Sequence, residues 1–259
     1  MIRTISILGS GNVAWHIARK LYSEGVAIDC VFSRNAQTGK ELASAVNAFY
    51  TDKSADIPST SDAYIFMMSD TANEDFAKHL SLGDNKILIH TSGSLPADIF
   101  NGKSKDFAVM YPFQTFSRNV EVEDFCTIPI CIEASNAETF ENVKALACKI
   151  SPKIYILDFE QRRILHVAGV FAANFMNHSV HLGQKLLNDN NIPTDILNPL
   201  LQQSFAKILS GGAYSSQTGP AARGDHDVIE THKELLKNDK LAADIYALMS
   251  ESILKTYKK

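Results

Sequence analysis

The segment Ile7-Leu8-Gly9-Ser10-Gly11-Asn12-Val13-Ala14 limits what this chain can fold into more than any other stretch. It gives the pattern G-x-G-x-x-A directly after a strand-like run, Thr4–Leu8, and ahead of a stretch in which Val13, Ile17 and Leu21 share one helical face. Each position has a physical reason. Gly9 permits a tight turn, and Gly11 lets a ligand come against bare backbone. Ala14 keeps the helix close to the sheet, while the N–H groups of its first turn face an anion. A strand before the glycines and an amphipathic helix after them separate a diphosphate-binding loop from a turn with incidental glycines.

The residues up to 157 alternate β-branched runs with amphipathic stretches, the pattern of a parallel sheet with crossover helices. Strands are predicted at Thr4–Leu8, Ile28–Phe32, Ala48–Tyr50, Ala63–Met68, Ile87–His90, Phe107–Met110, Ile128–Glu133 and Ile154–Leu157. Helical patterns lie near 12–24, 36–46, 72–80, 95–100 and 136–149. Beyond Leu157 no strand pattern returns. Asp158 and Gln161 have capping-box spacing and open a helix expected to run to about Leu187. At the standard rise such a helix is ~45 Å long, too long for a sheet crossover. Further helices are expected near 199–209, 226–237 and 240–256, so the chain reads as an α/β domain over 1–157 and an all-helical domain over 158–259.

A formal net charge of −4 gives no electrostatic reason to expect a nucleic acid or anionic membrane as partner. No apolar stretch approaches a bilayer span, and the opening strand, lacking a long apolar run and a cleavage site, is not expected to be a signal peptide. Cys30, Cys126, Cys131 and Cys148 show no metal-ligand spacing, so they read as small core residues, no metal is expected, and the compartment is expected to be the cytoplasm.

Cofactor type is read at the end of the second strand, where an acid would accept a ribose 2′-hydroxyl and repel a 2′-phosphate. The sequence there is Phe32-Ser33-Arg34-Asn35, with Asp29 too early in the strand to serve. A hydroxyl and a guanidinium suit a phosphate, so NADP is expected rather than NAD. The expected cofactor contacts are Gly9, Ser10, Gly11, Asn12, Val13, Ser33, Arg34 and, at the fourth strand's end, Met68, Ser69 and Asp70. Thr91 and Ser92 follow the fifth strand and are candidates to line the nicotinamide side; a turn with capping hydroxyls explains them equally well. In the long helix His166 and Asn174 are eight residues apart, roughly 80° around the axis at α-helical spacing. His166 is the candidate for proton transfer. Arg223, in Arg223-Gly224-Asp225, is a candidate anchor for an anionic substrate, and Asp225 a helix N-cap.

These residues together resemble a family of Rossmann-like NADP oxidoreductases with an uncharacterised helical C-terminal domain, relatives of pyrroline-5-carboxylate reductase. The match covers nearly the full length. It rests on Gly9 to Ala14, Ser33-Arg34, Val109 to Phe116, His166-Val167-Ala168 with Asn174, and Thr218-Gly219-Pro220 followed by Arg223-Gly224-Asp225. The resemblance implies a C-terminal domain like that of 6-phosphogluconate dehydrogenase and a homodimer assembled through the helical half. It assigns no reaction. It departs at Tyr111, where the family often has His, so it gives that position no catalytic role.

Related β-hydroxyacid dehydrogenases place a catalytic Lys on the long helix with an Asn four residues later. Here no lysine occurs between Lys153 and Lys185, and Lys185 is followed by Asp189. The expectation is therefore NADPH-dependent reduction of a small imine or carbonyl compound, in which His166 gives or orients the proton, Asn174 is its polar neighbour, and Thr91 and Ser92 line the pocket. A non-catalytic NADP-binding sensor is the alternative. Val167, Val170, Phe171 and Phe175 form the apolar band expected to support a dimer.

Overall fold

The computed structural model describes residues 1–80, 82 and 85–257, which divide into two compact units, Met1–Asn174 and Phe175–Lys259. The first unit is built on one eight-stranded sheet: β1 (Thr4–Leu8), β2 (Ala27–Phe32), β3 (Phe49–Thr51), β4 (Ala63–Phe66), β5 (Ile87–His90), β6 (Phe107–Pro112), β7 (Ile130–Ala134) and β8 (Ile154–Ile156). Their order is β3-β2-β1-β4-β5-β6-β7-β8. The chain reverses its direction of travel across the sheet between β1 and β4, and the carboxyl ends there open the crevice in which such sheets bind ligands. Along the strands, alternate residues enter different cores. Ile7, Val31 and Ile65 pack with Ile17, Leu21 and Leu42, whereas Leu8, Phe32 and Phe66 pack with Ala77 and Phe100. Coverage on both faces is why these strands read as near-continuous apolar runs.

The helices of this unit are α1 (Asn12–Ser23), α2 (Ala36–Ala45), α3 (Asp70–His79), α4 (Ala137–Ala147) and α5 (Phe159–Gly169). One pairing departs from the expected parallel pattern: β7 runs antiparallel to β6. Residues 113–129 between them contain only a short 3-10 turn, Phe125–Thr127, and without a crossover helix the chain returns in the opposite direction. The cysteine expectation holds for Cys30 and Cys131, which are buried, but Cys126 and Cys148 are exposed on the surface and are not core residues.

β8 ends one residue short of the expected boundary, and the capping box of Asp158 and Gln161 starts α5 as read from the sequence. The compact units nevertheless divide later, after Asn174, because α5 is anchored to the sheet. Arg162 is fully buried, pairs with Glu133 of β7 and donates through its other terminal nitrogen to the Leu95 carbonyl. After α5 the long helix passes through a π-helical turn, Val170–Phe175.

The second unit consists of α6 (Met176–Asp189), α7 (Asn198–Gly211), the short α8 (Ala213–Ser216) and α9 (Pro220–Arg223), α10 (His226–Leu235) and α11 (Lys240–Tyr257). The two short helices are absent from the sequence reading. Asp225 caps α10 as expected, its carboxylate accepting from Val228 N–H at 3.4 Å. Among the described residues of this unit only Ala221, Ile229 and Ser250 are buried, while Leu209 is 86% and Leu235 71% exposed. No helix among the described residues is long and apolar enough to cross a membrane.

Candidate active site

Two adjoining clefts lie at the carboxyl ends of the strands in the first unit. The first is a groove of about 700 Å³ beside the glycine loop, lined by Gly9 to Val13, Ser33, Arg34, Asn35, Thr38, Met67 to Ser69, Phe116 and Arg118. Gly9 has a φ of +124°, and a β-carbon there would sit 2.5 Å from the Met67 carbonyl oxygen, so only glycine fits. Gly11 is the N-cap of α1 and supplies no capping side chain, and the helix has no acid in its first turn. A β-carbon on Gly11 would meet nothing within 4 Å, so the backbone stands open to a ligand. The first-turn N–H groups are thus presented at an accessible helix N-terminus, which fits a diphosphate.

The next part of the groove is built from hydroxyls. Ser10 Oγ lies 2.7 Å from Ser33 Oγ and 2.7 Å from Thr38 Oγ1. Arg34 is exposed at the rim, and no carboxylate lines the groove among the described residues. Asp29 is committed elsewhere, accepting from Ser61 Oγ at 2.6 Å inside the sheet. This donor set suits a ribose 2′-phosphate, and among the described residues the groove has no carboxylate to accept from a free 2′-hydroxyl. Past Arg34 a further hollow of about 830 Å³ is walled by Phe32, Ile57, Phe76 and Leu80 on its apolar side and by Ser54, Ser59, Thr71, Asp75 and His79 on its polar side.

The second cleft, about 590 Å³, is lined by Thr91 to Ser94, Asp70, Tyr111 to Phe116, Val13, Met67, Met68 and the helix face carrying His166, Gly169, Val170 and Asn174. Most expected site residues therefore converge, but their jobs are sorted. Met68 reaches both clefts, Ser69 the groove, and Asp70 only the second cleft, where it accepts from Ser94 Oγ at 2.5 Å. Thr91 is almost buried, its hydroxyl 3.5 Å from the Phe66 carbonyl. Ser92 caps its own turn, accepting from the N–H groups of Ser94 and Leu95 at 3.0 and 3.1 Å. Arg223 belongs to the second unit, with its guanidinium 4.0 Å from Asp225.

His166 and Asn174 face the same cleft despite their spacing, and the π turn is the reason. Four steps of 100° along α-helix and four of about 82° along π-helix, with about 4.4 residues per turn, come to within about 10° of two full turns. The 80° offset expected from uniform α-helix is removed.

The chemical centre of the cleft is a pair. Tyr111 Oη lies 3.0 Å from His166 Nδ1. Burial pushes the Tyr111 hydroxyl up to about 12, with Cys131 adding to the rise, so it stays protonated at neutral pH. Sequence reasoning passed over Tyr111 because it replaced a family histidine. It also missed Thr38, Phe116 and Arg118, of which only Thr38, one turn from Ser33-Arg34, carried a local signal.

Two domain families match the chain: "NADP oxidoreductase coenzyme F420-dependent" over residues 4–93, and "Domain of unknown function (DUF2520)" over 128–253. Comparison with curated proteins finds no match. Among solved structures, a candidate NADP oxidoreductase of Bacteroides fragilis is 36% identical, covers 98% of each chain and superposes with a TM-score of 0.92. A reductive aminase of Aspergillus terreus, in complex with NADPH and ethyl levulinate, is 14% identical with 98% of this chain and 93% of the other covered, at a TM-score of 0.72. An imine reductase of Myxococcus stipitatus, in complex with NADP+, is 13% identical over 99% of this chain and 100% of the other, at 0.67.

Proposed function

The chain belongs to the NADP oxidoreductase family of its Bacteroides fragilis relative, an oxidoreductase domain followed by a DUF2520 domain, and from that premise we propose that it reduces a small imine or carbonyl compound with NADPH. The observation that carries the reading is the Tyr111–His166 pair, set in a cleft that adjoins the glycine groove. Two solved structures of the same fold are a reductive aminase and an imine reductase, which favours an imine. The kinship with pyrroline-5-carboxylate reductase drawn from the motifs points the same way.

Bound NADPH supplies the hydride. The first-turn N–H groups of α1 hold the diphosphate, while Arg34 and the hydroxyls of Ser10, Ser33 and Thr38 hold the 2′-phosphate. Met68 and Ser69 border the same groove, and Asp70 orients Ser94 on the substrate side. Tyr111 hands its proton to the substrate nitrogen or oxygen as the carbon takes the hydride, and a proton relayed from solvent through the His166 ring to Tyr111 restores it. One imine, one hydride and one proton give one amine. Asn174, Thr91 and Ser92 bound the space in which the substrate turns, and Arg223 is the candidate anchor for an anionic substituent. No lysine acid is required, because Tyr111 supplies the proton.

The test is loss of the reduced-nicotinamide absorbance with a panel of ketone and amine pairs and cyclic imines. Tyr111→Phe and His166→Ala should each lower turnover by about 10²-fold or more with NADPH affinity unchanged. Full turnover in both variants overturns the proton assignment, and NADPH binding without turnover across the panel favours a sensor.

The enzyme is inferred to be a cytoplasmic homodimer assembled through its helical domain. Support comes from the second unit's few buried residues and from Val167, Phe171 and Phe175, which are 56%, 66% and 52% exposed on the long helix.

A further inference from the structure

The groove beside the glycine loop holds a second guanidinium that the motif does not include. We propose that Arg118 determines cofactor choice, gripping the 2′-phosphate of NADP(H) jointly with Arg34; this rests on the NADP reading above. Arg118 lies in the loop between β6 and β7, far in sequence from the β2 end where the 2′-phosphate is usually read.

Its side chain is fixed from two directions. The guanidinium stacks 4.2 Å from the Trp15 ring centroid on α1, and Nη2 donates to Glu41 Oε2 on α2. Glu41 stands one turn beyond Thr38, whose hydroxyl belongs to the Ser10–Ser33–Thr38 cluster. Arg118 therefore lines the groove on the α2 side, the side that carries the phosphate-suited hydroxyls. Among the described residues Glu41 is its one hydrogen-bond partner, so most of its five N–H donors remain for a ligand. A sugar phosphate carries nearly two negative charges at neutral pH; Arg34 and Arg118 bring two positive charges to it, one of them partly offset by the Glu41 carboxylate.

A structural staple is the competing role, and the loop already has other fastenings. Asn12 Nδ2 donates to the Phe116 carbonyl at 3.1 Å, His16 Nε2 lies 3.0 Å from the Ser117 carbonyl, and His16 stacks on Phe116. Arg19 also pairs with Glu121 at 2.9 Å. These contacts hold the loop on α1 without Arg118.

The experiment titrates the full chain with NADPH and NADH by nicotinamide fluorescence and with 2′,5′-ADP by calorimetry. The wild type should prefer NADPH. R118Q should lose at least about 10-fold in affinity for NADPH and 2′,5′-ADP, the scale of a lost charge-assisted contact, with NADH within about twofold. E41Q should keep the preference, since it removes a partner of Arg118 and not a phosphate donor. R118K keeps the charge without the planar fork, and should lose NADPH affinity to a smaller extent with NADH unchanged; it serves if R118Q does not fold. Equal weakening of NADPH and NADH in R118Q makes Arg118 a staple and overturns the proposal, as does no change with either. A wild type without preference for NADPH overturns the NADP reading and this proposal with it. A wild type that prefers NADPH beside an R118Q whose preference is undiminished overturns only the role of Arg118.

Discussion

A β-carbon on Gly93 would lie 2.7 Å from His166 Nδ1 and 2.8 Å from Tyr111 Cζ, so the absence of a side chain there lets the two rings meet. Gly93→Ala should therefore cost about 1–3 kcal/mol of stability, the usual range for overpacking, and should lower turnover while sparing NADPH affinity. Urea unfolding and a fluorescence titration check both halves, and a fully active, equally stable variant would sink the argument. Below this pair lies His90, buried, with Nε2 3.1 Å from the Pro96 carbonyl and Nδ1 accepting from Ser92 N–H. Burial, with the Arg162 charge adding to it, pulls its pKa down to about 4. The folded state thus holds His90 neutral while the unfolded chain binds a proton below about pH 6.5. Stability should fall as pH drops from about 6.5 to about 4, by roughly 3 kcal/mol from this group, and be flat with respect to it above that window. His90→Asn should flatten the pH dependence of the urea midpoint in that window. Neither effect is legible in sequence. The cofactor glycines carry a local conformational signature, whereas Gly93 and His90 matter through partners brought in by tertiary packing.

At the scale of elements, α5 depends on an asymmetric ion pair. The Arg162 side chain is 1% exposed and that of Glu133 27%. Removing the carboxylate leaves a cation buried with its Nε already unpartnered, whereas removing the arginine leaves a carboxylate that water can reach. Glu133→Gln should therefore destabilise more than Arg162→Met, by a few kcal/mol in urea denaturation, and the reverse order would refute the account. Most element positions were readable because local chemistry sets them. Thr4–Leu8 and Ile87–His90 fall where expected, and Asp158 with Gln161 starts α5 as a capping box should. The antiparallel β7 was not readable, since a strand's own residues do not say which way its partner runs. The π turn was equally hidden, because an eight-residue spacing was converted to an angle on the assumption of uniform α-helix.

On the scale of the whole molecule, the helical half has apolar side chains and very little interior. Leu200, Leu241 and Leu248 are 61%, 69% and 66% exposed, a surface that a lone chain would have to leave in water. Sedimentation at micromolar concentration should give twice the 28.5 kDa chain mass, with a melting temperature that rises with protein concentration. A monomer with a concentration-independent transition would refute the dimer. The division between sheet and helices was visible in sequence as a change of periodicity, but the compact unit runs on to Asn174 because a buried arginine carries the first turns of the long helix with the sheet. One wall has a kinetic meaning. The Phe116 ring borders both the glycine groove and the second cleft, and its loop is clasped to α1 beside the glycines. A coenzyme seated against that ring completes the chamber the second reactant enters, so turnover should follow a compulsory sequence, coenzyme arriving first and leaving last.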